Sequence, residues 1–319
     1  MKKHLVIVGF DDSIADQDSL FTAQLPLVQT NEELDVVKRV FPKLDVCFIA
    51  SGCIADRKDR FEKLWESFSP YADSNFKMEI QQNFHSRSWE MYMGHVLLSK
   101  KLLSDKSLKI KPENEGPDFI LDDGTYVECI APSKGDPGKD SSVVAPVYTK
   151  TSKEIVLQKV PVDKMILRIT QAFKDKAKLQ YEGWKTKKWF NGESPFVVAI
   201  NSGDLEWPQD YMGIPLVIRA IFGVEFLKIS KDHEESFSCR AEIQKGAGVA
   251  VPVNYFTGED FNFVSGVIFS DQYVLNHPEK IGDDCVFVNN PFGKNPVTDA
   301  VSNSFHSWFA EKDKLTKKY

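Results

Sequence analysis

The sequence predicts an α/β (α+β) protein in which a mixed central sheet is flanked by helices, with a helical appendage at its N-terminal end. Three observations predict it. Apolar residues recur at helical spacing over residues 56–69, 76–104 and 162–182. Between and after these segments stand short apolar runs bounded by turn residues, the pattern of buried strands. At 319 residues, with 42% hydrophobic and 27% charged residues, the chain has the composition of a globular fold with a sizeable core and not of a disordered chain, a collagen or a disulfide scaffold.

Taken in order, His4–Phe10 is an apolar run that reads as a strand. It stops at Asp11-Asp12 without a small-residue cleavage site, so it does not read as a secretory signal despite Lys2-Lys3. Phe61, Leu64, Trp65 and Phe68 form an apolar stripe that Pro70 terminates. Trp89, Met93, Val96 and Leu97 set the period of one or two helices over 76–104. The pattern then changes. Lys106–Lys111 alternates polar and apolar as a strand does, and two apolar runs around Asp122-Asp123-Gly124 read as a hairpin. Residues 132–153 are rich in Pro, Gly, Ser and Lys and read as a long loop. Pro161 opens the clearest helix, with Ile166, Ile169, Phe173 and Ala177 on its apolar face and Gly183 as its C′ residue. A buried strand is expected at 195–201, shorter strands near 224–229, 263–269 and 285–289, and an amphipathic helix at 298–310. Residues 1–75 then form a strand and helical appendage, and residues 76–319 the α/β domain, packed on one core or as a single domain.

The function classes narrow with charge and cysteine usage. Spanning a bilayer needs about 20 apolar residues, and the longest runs here are far shorter. The five cysteines, at 47, 53, 129, 239 and 285, are scattered and contain no CxxC pair, which points to a reducing, cytoplasmic compartment and away from a zinc knuckle. Formal charge is −6, which argues against a general nucleic-acid coat. Residues 134–188 nevertheless carry 13 Lys/Arg against 6 Asp/Glu, a net +7 in a chain that is otherwise −13. Such a segment is either a lysine-rich loop with a solvated helix face or a patch for a polyanion.

Familiar catalytic motifs fail. Gly138-Lys139 lacks the upstream Gly of a phosphate-binding loop and is followed by Asp140 where Ser or Thr should hold magnesium. No GxGxxG follows the first strand, no GxSxG occurs, and the six histidines form no HxxxH pair.

Three acids remain. Glu90 sits in Ser-Arg-Ser-Trp-Glu on a helix, Asp118 in Gly-Pro-Asp-Phe at a strand start, and Glu128 in Tyr-Val-Glu-Cys-Ile on the next strand. Asp118 is four residues before Asp122 and Glu128 four after Gly124, so a hairpin places them opposite each other. Glu128 interrupts an apolar strand, where a carboxylate is costly unless paired or bound to metal. Two facing carboxylates suit Mg²⁺ or Mn²⁺, which keep several waters. The other reading is that Asp118 caps a turn and Glu128 faces solvent on an edge strand.

Glu90, Gly116-Pro117-Asp118-Phe119, Val127-Glu128-Cys129 and a following basic helix together resemble the PD-(D/E)xK restriction-endonuclease-like superfamily. The resemblance spans roughly residues 80–200, with a weaker echo in Phe287-Val288-Asn289-Asn290-Pro291. It implies an α-β-β-β-α-β core, Mg²⁺ (or Mn²⁺), and hydrolysis of phosphodiester bonds in DNA or RNA. It maps the metal-holding acids onto Glu90, Asp118 and Glu128. The motif's lysine should stand two residues after the last acid, where this chain has Ile130. In this superfamily the lysine sometimes migrates to another element. Lys176, near the sheet-facing stripe of the basic helix, is then the candidate to orient or deprotonate water, with Lys134 a looser one and Lys176 as a plain flank lysine the alternative. Arg87, one turn before Glu90, would touch phosphate or pair with Glu90, and Lys134, Lys150 and Lys153 would contact nucleic acid. The rival expectations are a catalytically inactive nuclease-like scaffold serving as a nucleic-acid-binding or protein-interaction module, and an enzyme on another α/β fold.

Overall fold

A computed structural model of the chain describes residues 19–21, 25–108, 116–147, 157–207, 210–211, 214–229, 235–246, 248–311 and 314–318. Two compact units emerge. The described residues up to Lys101 belong to the first, and those from Leu102 onward to the second.

The first unit is helical. Thr30 caps α1 (Asn31–Val40): its hydroxyl accepts the Glu33 N–H at 3.2 Å while the Glu33 carboxylate accepts the Thr30 N–H at 3.3 Å, a capping box. The Asp45 carboxylate caps α2 (Val46–Cys53) through the Cys47 N–H at 2.7 Å. Then come α3 (Ala55–Phe68), α4 (Phe76–Ile80) and α5 (Phe84–Ser99). The stripe Phe61, Leu64, Trp65 and Phe68 is buried. Its rings interlock with those of the other helices: Phe61 lies 5.1 Å from Phe84, Trp65 5.6 Å from Phe76, and Phe68 4.9 Å from Phe76.

The second unit is mixed α/β. It begins with α6 (Asp105–Leu108), β1 (Phe119–Ile120), β2 (Tyr126–Ile130), α7 (Val162–Trp184) and β3 (Phe196–Asn201). It continues through β4 (Asp210–Tyr211), β5 (Ile214–Pro215), α8 (Leu216–Phe222), β6 (Val224–Ile229), β7 (Glu235–Cys239), β8 (Glu242–Lys245) and β9 (Val249–Pro252). It ends with β10 (Gly266–Ser270), β11 (Val286–Asn289), α9 (Asp299–Ser302), β12 (His306–Glu311) and β13 (Lys314–Lys318). Seven strands make one mixed sheet in the order β1-β2-β3-β10-β11-β12-β13, while β4–β5, β6–β7 and β8–β9 are two-stranded ribbons. β2, β3 and β10 are parallel neighbours, and β1 is antiparallel to β2. Because β2 and β3 are parallel, the chain must cross between their ends, and α7 does so.

Strand alternation sends Tyr126 and Ile130 of β2 and Phe196, Val198 and Ile200 of β3 to the face that α7 and α8 cover, joined there by Ile166, Ile169, Phe173, Val217 and Ile221. The ring of Phe173 is enclosed by Tyr255, Phe256 and Phe261 at 5.3–5.8 Å. Truncating this fully buried side chain to Ala costs about 3–5 kcal/mol.

Three expected elements differ. The alternation at Lys106–Lys111 gives a helical turn, α6, over its described part. Ser104 Oγ accepts the Lys106 N–H at 3.3 Å, and both Ser104 and Ser107 donate their hydroxyls to Asp122, at 2.9 and 2.7 Å. Local side-chain caps thus outweigh the period-two signal. The expected helix at 298–310 stops at Ser302, and its second half is β12. There the Asn289 side chain pairs with both backbone groups of Ala310, at 2.7 and 3.2 Å, and Trp308 is buried. α7 runs past Gly183 to Trp184, whose buried ring joins Tyr126 and Phe196. The strand expected at His4–Phe10 lies outside the described residues.

Candidate active site

The hairpin sets the geometry of the site. Gly124 adopts φ +87°, a left-handed conformation that costs a side-chain-bearing residue strain, and its N–H donates to Leu121 O at 2.9 Å. The Asp123 carboxylate accepts the Thr125 N–H at 2.9 Å. Phe119 is thereby opposite Val127 and Ile120 opposite Tyr126. One step further out, Asp118 comes opposite Glu128. Side chains complete the ladder there: the Asp118 N–H donates to Glu128 Oε2 at 3.1 Å, and the Cys129 N–H donates to Asp118 Oδ2 at 2.7 Å. Each carboxylate is therefore oriented by a backbone amide of the opposing strand.

Glu128 shares its face with Tyr126 and Ile130, beneath α7, and is only 2% exposed. A charge there needs a partner, and α7 supplies it. Ile169, Phe173 and Ala177 point into the core. Lys176 stands at the edge of that stripe, and its Nζ lies 2.6 Å from Glu128 Oε1. The Lys176 side chain keeps 32% of its surface exposed, so the pair is reached from solvent along the lysine.

Burial and, after it, the negative charge of Asp118 push the Glu128 carboxyl up to about 8, against the opposing pull of Lys176. Burial works against the Lys176 ammonium, but Glu128 and Asp118 outweigh it and hold its pKa above the ordinary lysine value. The lysine is therefore a fixed positive charge at neutral pH.

Among the described residues no group of three or more His, Cys, Asp or Glu side chains is arranged to hold a metal. Asp118 and Glu128 form a two-carboxylate set, which suits Mg²⁺ or Mn²⁺ completed by water and phosphate oxygens.

The other residues named from sequence have the following neighbours within their own units. Glu90 is on α5 in the first unit, 3% exposed, with its carboxylate accepting from Arg87. Arg87 also bonds Glu79, so its guanidinium lies between two acids of the same unit. Lys134 is engaged by Glu206 at 2.6 Å, with Asp204 at 4.0 Å. Lys139 pairs with Asp136 on the surface. Lys150 and Lys153 lie outside the described residues. Ile130 is buried in the apolar cluster under α7. His277 accompanies Ser270 and Asp284 in a buried polar knot that ties the loop after β10 to the start of β11, with Ser270 Oγ 2.5 Å and His277 Nδ1 3.3 Å from Asp284 Oδ2. The backbone amides of Asp118 and Cys129 escape sequence reasoning, since no residue type encodes an amide; only the expected strand register pointed toward them. The Glu206 partner of Lys134, 72 residues away, left no signal at all.

No protein-family model, curated protein or solved structure matches this chain. Among the described residues no helix is long and apolar enough to cross a membrane.

Proposed function

We propose that this protein is a Mg²⁺-dependent nuclease with a restriction-endonuclease-like core, hydrolysing phosphodiester bonds of DNA or RNA. The observation that carries the reading is the approach of Lys176 to Glu128 at 2.6 Å, beside Asp118. A helix thereby supplies an ammonium to a hairpin carboxylate pair whose own strand offers Ile130 in the lysine position. Asp118 and Glu128 would hold the ion, which when bound supplies a more acidic water and offsets charge on the phosphate. Lys176, kept charged by its acidic neighbours, orients the water and stabilises the negative charge that builds on the phosphate oxygens. Its raised pKa makes it a poor proton acceptor, so orientation rather than deprotonation is its part. The amides of Asp118 and Cys129 keep the two carboxylates in register while the charge distribution changes.

The reading is tested by incubating the full chain with labelled DNA and RNA in Mg²⁺ and in Mn²⁺. Cleavage that Asp118→Asn and Glu128→Gln abolish, and that Lys178→Ala leaves in place, supports it. Lys178 is exposed and lies about 200° around the helix from Lys176. Absence of cleavage on both polymers with both ions ends it.

A second reading, a nuclease-like scaffold without turnover that binds nucleic acid or protein, draws on one specific observation. Both oxygens of Glu128 are already engaged, one by Lys176 and one by the Asp118 N–H.

A further inference from the structure

The engagement of Glu128 has a consequence for how the site loads. The carboxylate oxygen nearest the ammonium, Oε1, is one that a divalent ion would coordinate, and Lys176 sits on it at 2.6 Å. Asp118 Oδ2 accepts the Cys129 N–H, while Asp118 itself is only half-buried. The cluster thus holds two carboxyl groups and one resident cation. Adding a divalent ion with Lys176 in place puts two cations on one buried oxygen. Removing Lys176 from Glu128 without replacing it strands a buried carboxylate. Neither change is favourable alone.

The lysine has somewhere to go. Its stem is flexible, a third of its side chain is in contact with solvent, and its ammonium has three donors of which Glu128 takes one. A phosphate arriving at the exposed part of this side chain offers the ammonium an alternative anion.

Resting on the nuclease reading of this site, we propose that Lys176 is an exchangeable counter-cation, so that a divalent ion and a phosphate-bearing strand load cooperatively: the phosphate draws the ammonium from Glu128 Oε1 and the ion takes its place. Coupling of this kind is reciprocal, the ion raising affinity for the strand by the factor by which the strand raises affinity for the ion.

The experiment is a Mn²⁺ titration of the full chain, with free Mn²⁺ followed by electron paramagnetic resonance, alone and with a phosphorothioate oligonucleotide duplex that resists cleavage. Wild type should bind Mn²⁺ weakly alone and at least about tenfold more tightly with the oligonucleotide. Lys176→Met should bind Mn²⁺ alone at least about tenfold more tightly than wild type, because a cation within 4–6 Å of a carboxylate shifts its affinity for another positive charge by about 10- to 1,000-fold. Adding Glu128→Gln to Lys176→Met should erase that gain, and Lys176→Arg should stay as weak as wild type. If Lys176→Met is poorly folded, Lys176→Gln and the wild-type comparison with and without oligonucleotide carry the same test. Equal Mn²⁺ affinity in wild type and Lys176→Met, or wild-type binding indifferent to the oligonucleotide, overturns the exchange. Cleavage enters none of these readouts. Exchange without turnover therefore retires the nuclease reading alone, and turnover with a Mn²⁺ affinity indifferent to Lys176 retires the exchange alone.

Discussion

Two buried glutamates in this protein have the same company and different chemistry. Glu90 and Glu128 are 3% and 2% exposed, and each belongs to a set of two acids and one base. In the first unit the set is Glu79, Arg87 and Glu90, spread over two consecutive helices, with the arginine three residues before Glu90. In the second it is Asp118, Glu128 and Lys176, from two strands and a helix, with the lysine 48 residues beyond Glu128 in sequence and one-third exposed. The arginine is a planar, always-charged fork that engages two carboxylates. The lysine is a point charge on a flexible stem, touching one carboxylate and one-third exposed to solvent. The first arrangement suits holding helices together. The second is the arrangement proposed to release, orient and exchange its cation.

The strongest way to break this comparison is to remove each base. Lys176→Ala should lower Mg²⁺-dependent cleavage by about 10²–10⁴-fold, the usual cost of losing a positioned group at the reacting water. Arg87→Ala should lower the melting temperature, because it leaves Glu90 buried without this cation, while cleavage per folded molecule stays within about tenfold of wild type. Steady-state cleavage and thermal unfolding on the same samples decide it. Equal cleavage losses for the two variants would place Arg87 in the chemistry.

The contrast also shows how far the sequence could be read. The Asp118–Glu128 facing was legible because the Asp-Gly turn fixes a hairpin register by counting, and strand alternation then follows. The reach of Lys176 was legible only as a position at the edge of an apolar stripe; the 2.6 Å contact depends on how α7 crosses β2, which no local spacing encodes. Lys134 shows the converse. Its place after the site strand made it a candidate for phosphate, yet Glu206 and Asp204, far along the chain, already hold it. Over residues 106–108 of the expected strand, and over the second half of the helix expected at 298–310, side chains, Ser104 and Ser107 with Asp122 and Asn289 with Ala310, supply hydrogen bonds that override periodicity.

A pH titration sharpens the comparison at the second cluster. The folded Glu128 carboxyl titrates near 8, raised from 4.5 by burial and Asp118. Between those values the folded chain holds a proton that the unfolded chain has lost, so stability is fullest below about 4.5 and falls as pH rises toward 8. Lys176, raised from its ordinary value, contributes only above this window. The melting temperature of wild type should drop between pH 5 and pH 8.5. Glu128→Gln should flatten that slope. An unchanged slope in the variant would remove Glu128 as its source.

The smallest effect separates engaged lysines from available ones. Lys188 is exposed at the end of the basic segment, whereas Lys134 is held between Glu206 and Asp204. Oligonucleotide binding, followed by fluorescence anisotropy with Ca²⁺ replacing Mg²⁺, gives a log–log salt slope that counts neutralised phosphates at about 0.7–0.9 each. On the proposed reading, in which this exposed lysine neutralises a phosphate, Lys188→Ala should reduce the slope by about one such step. Lys134→Ala should leave the slope in place and lower affinity modestly at all salt concentrations, because it releases no phosphate and uncovers two carboxylates that repel the strand. The two variants thus differ in kind, one in slope and the other in intercept. A reduced slope in Lys134→Ala would mean that the strand displaces Glu206 from Lys134, making this lysine too a cation that exchanges its carboxylate for phosphate.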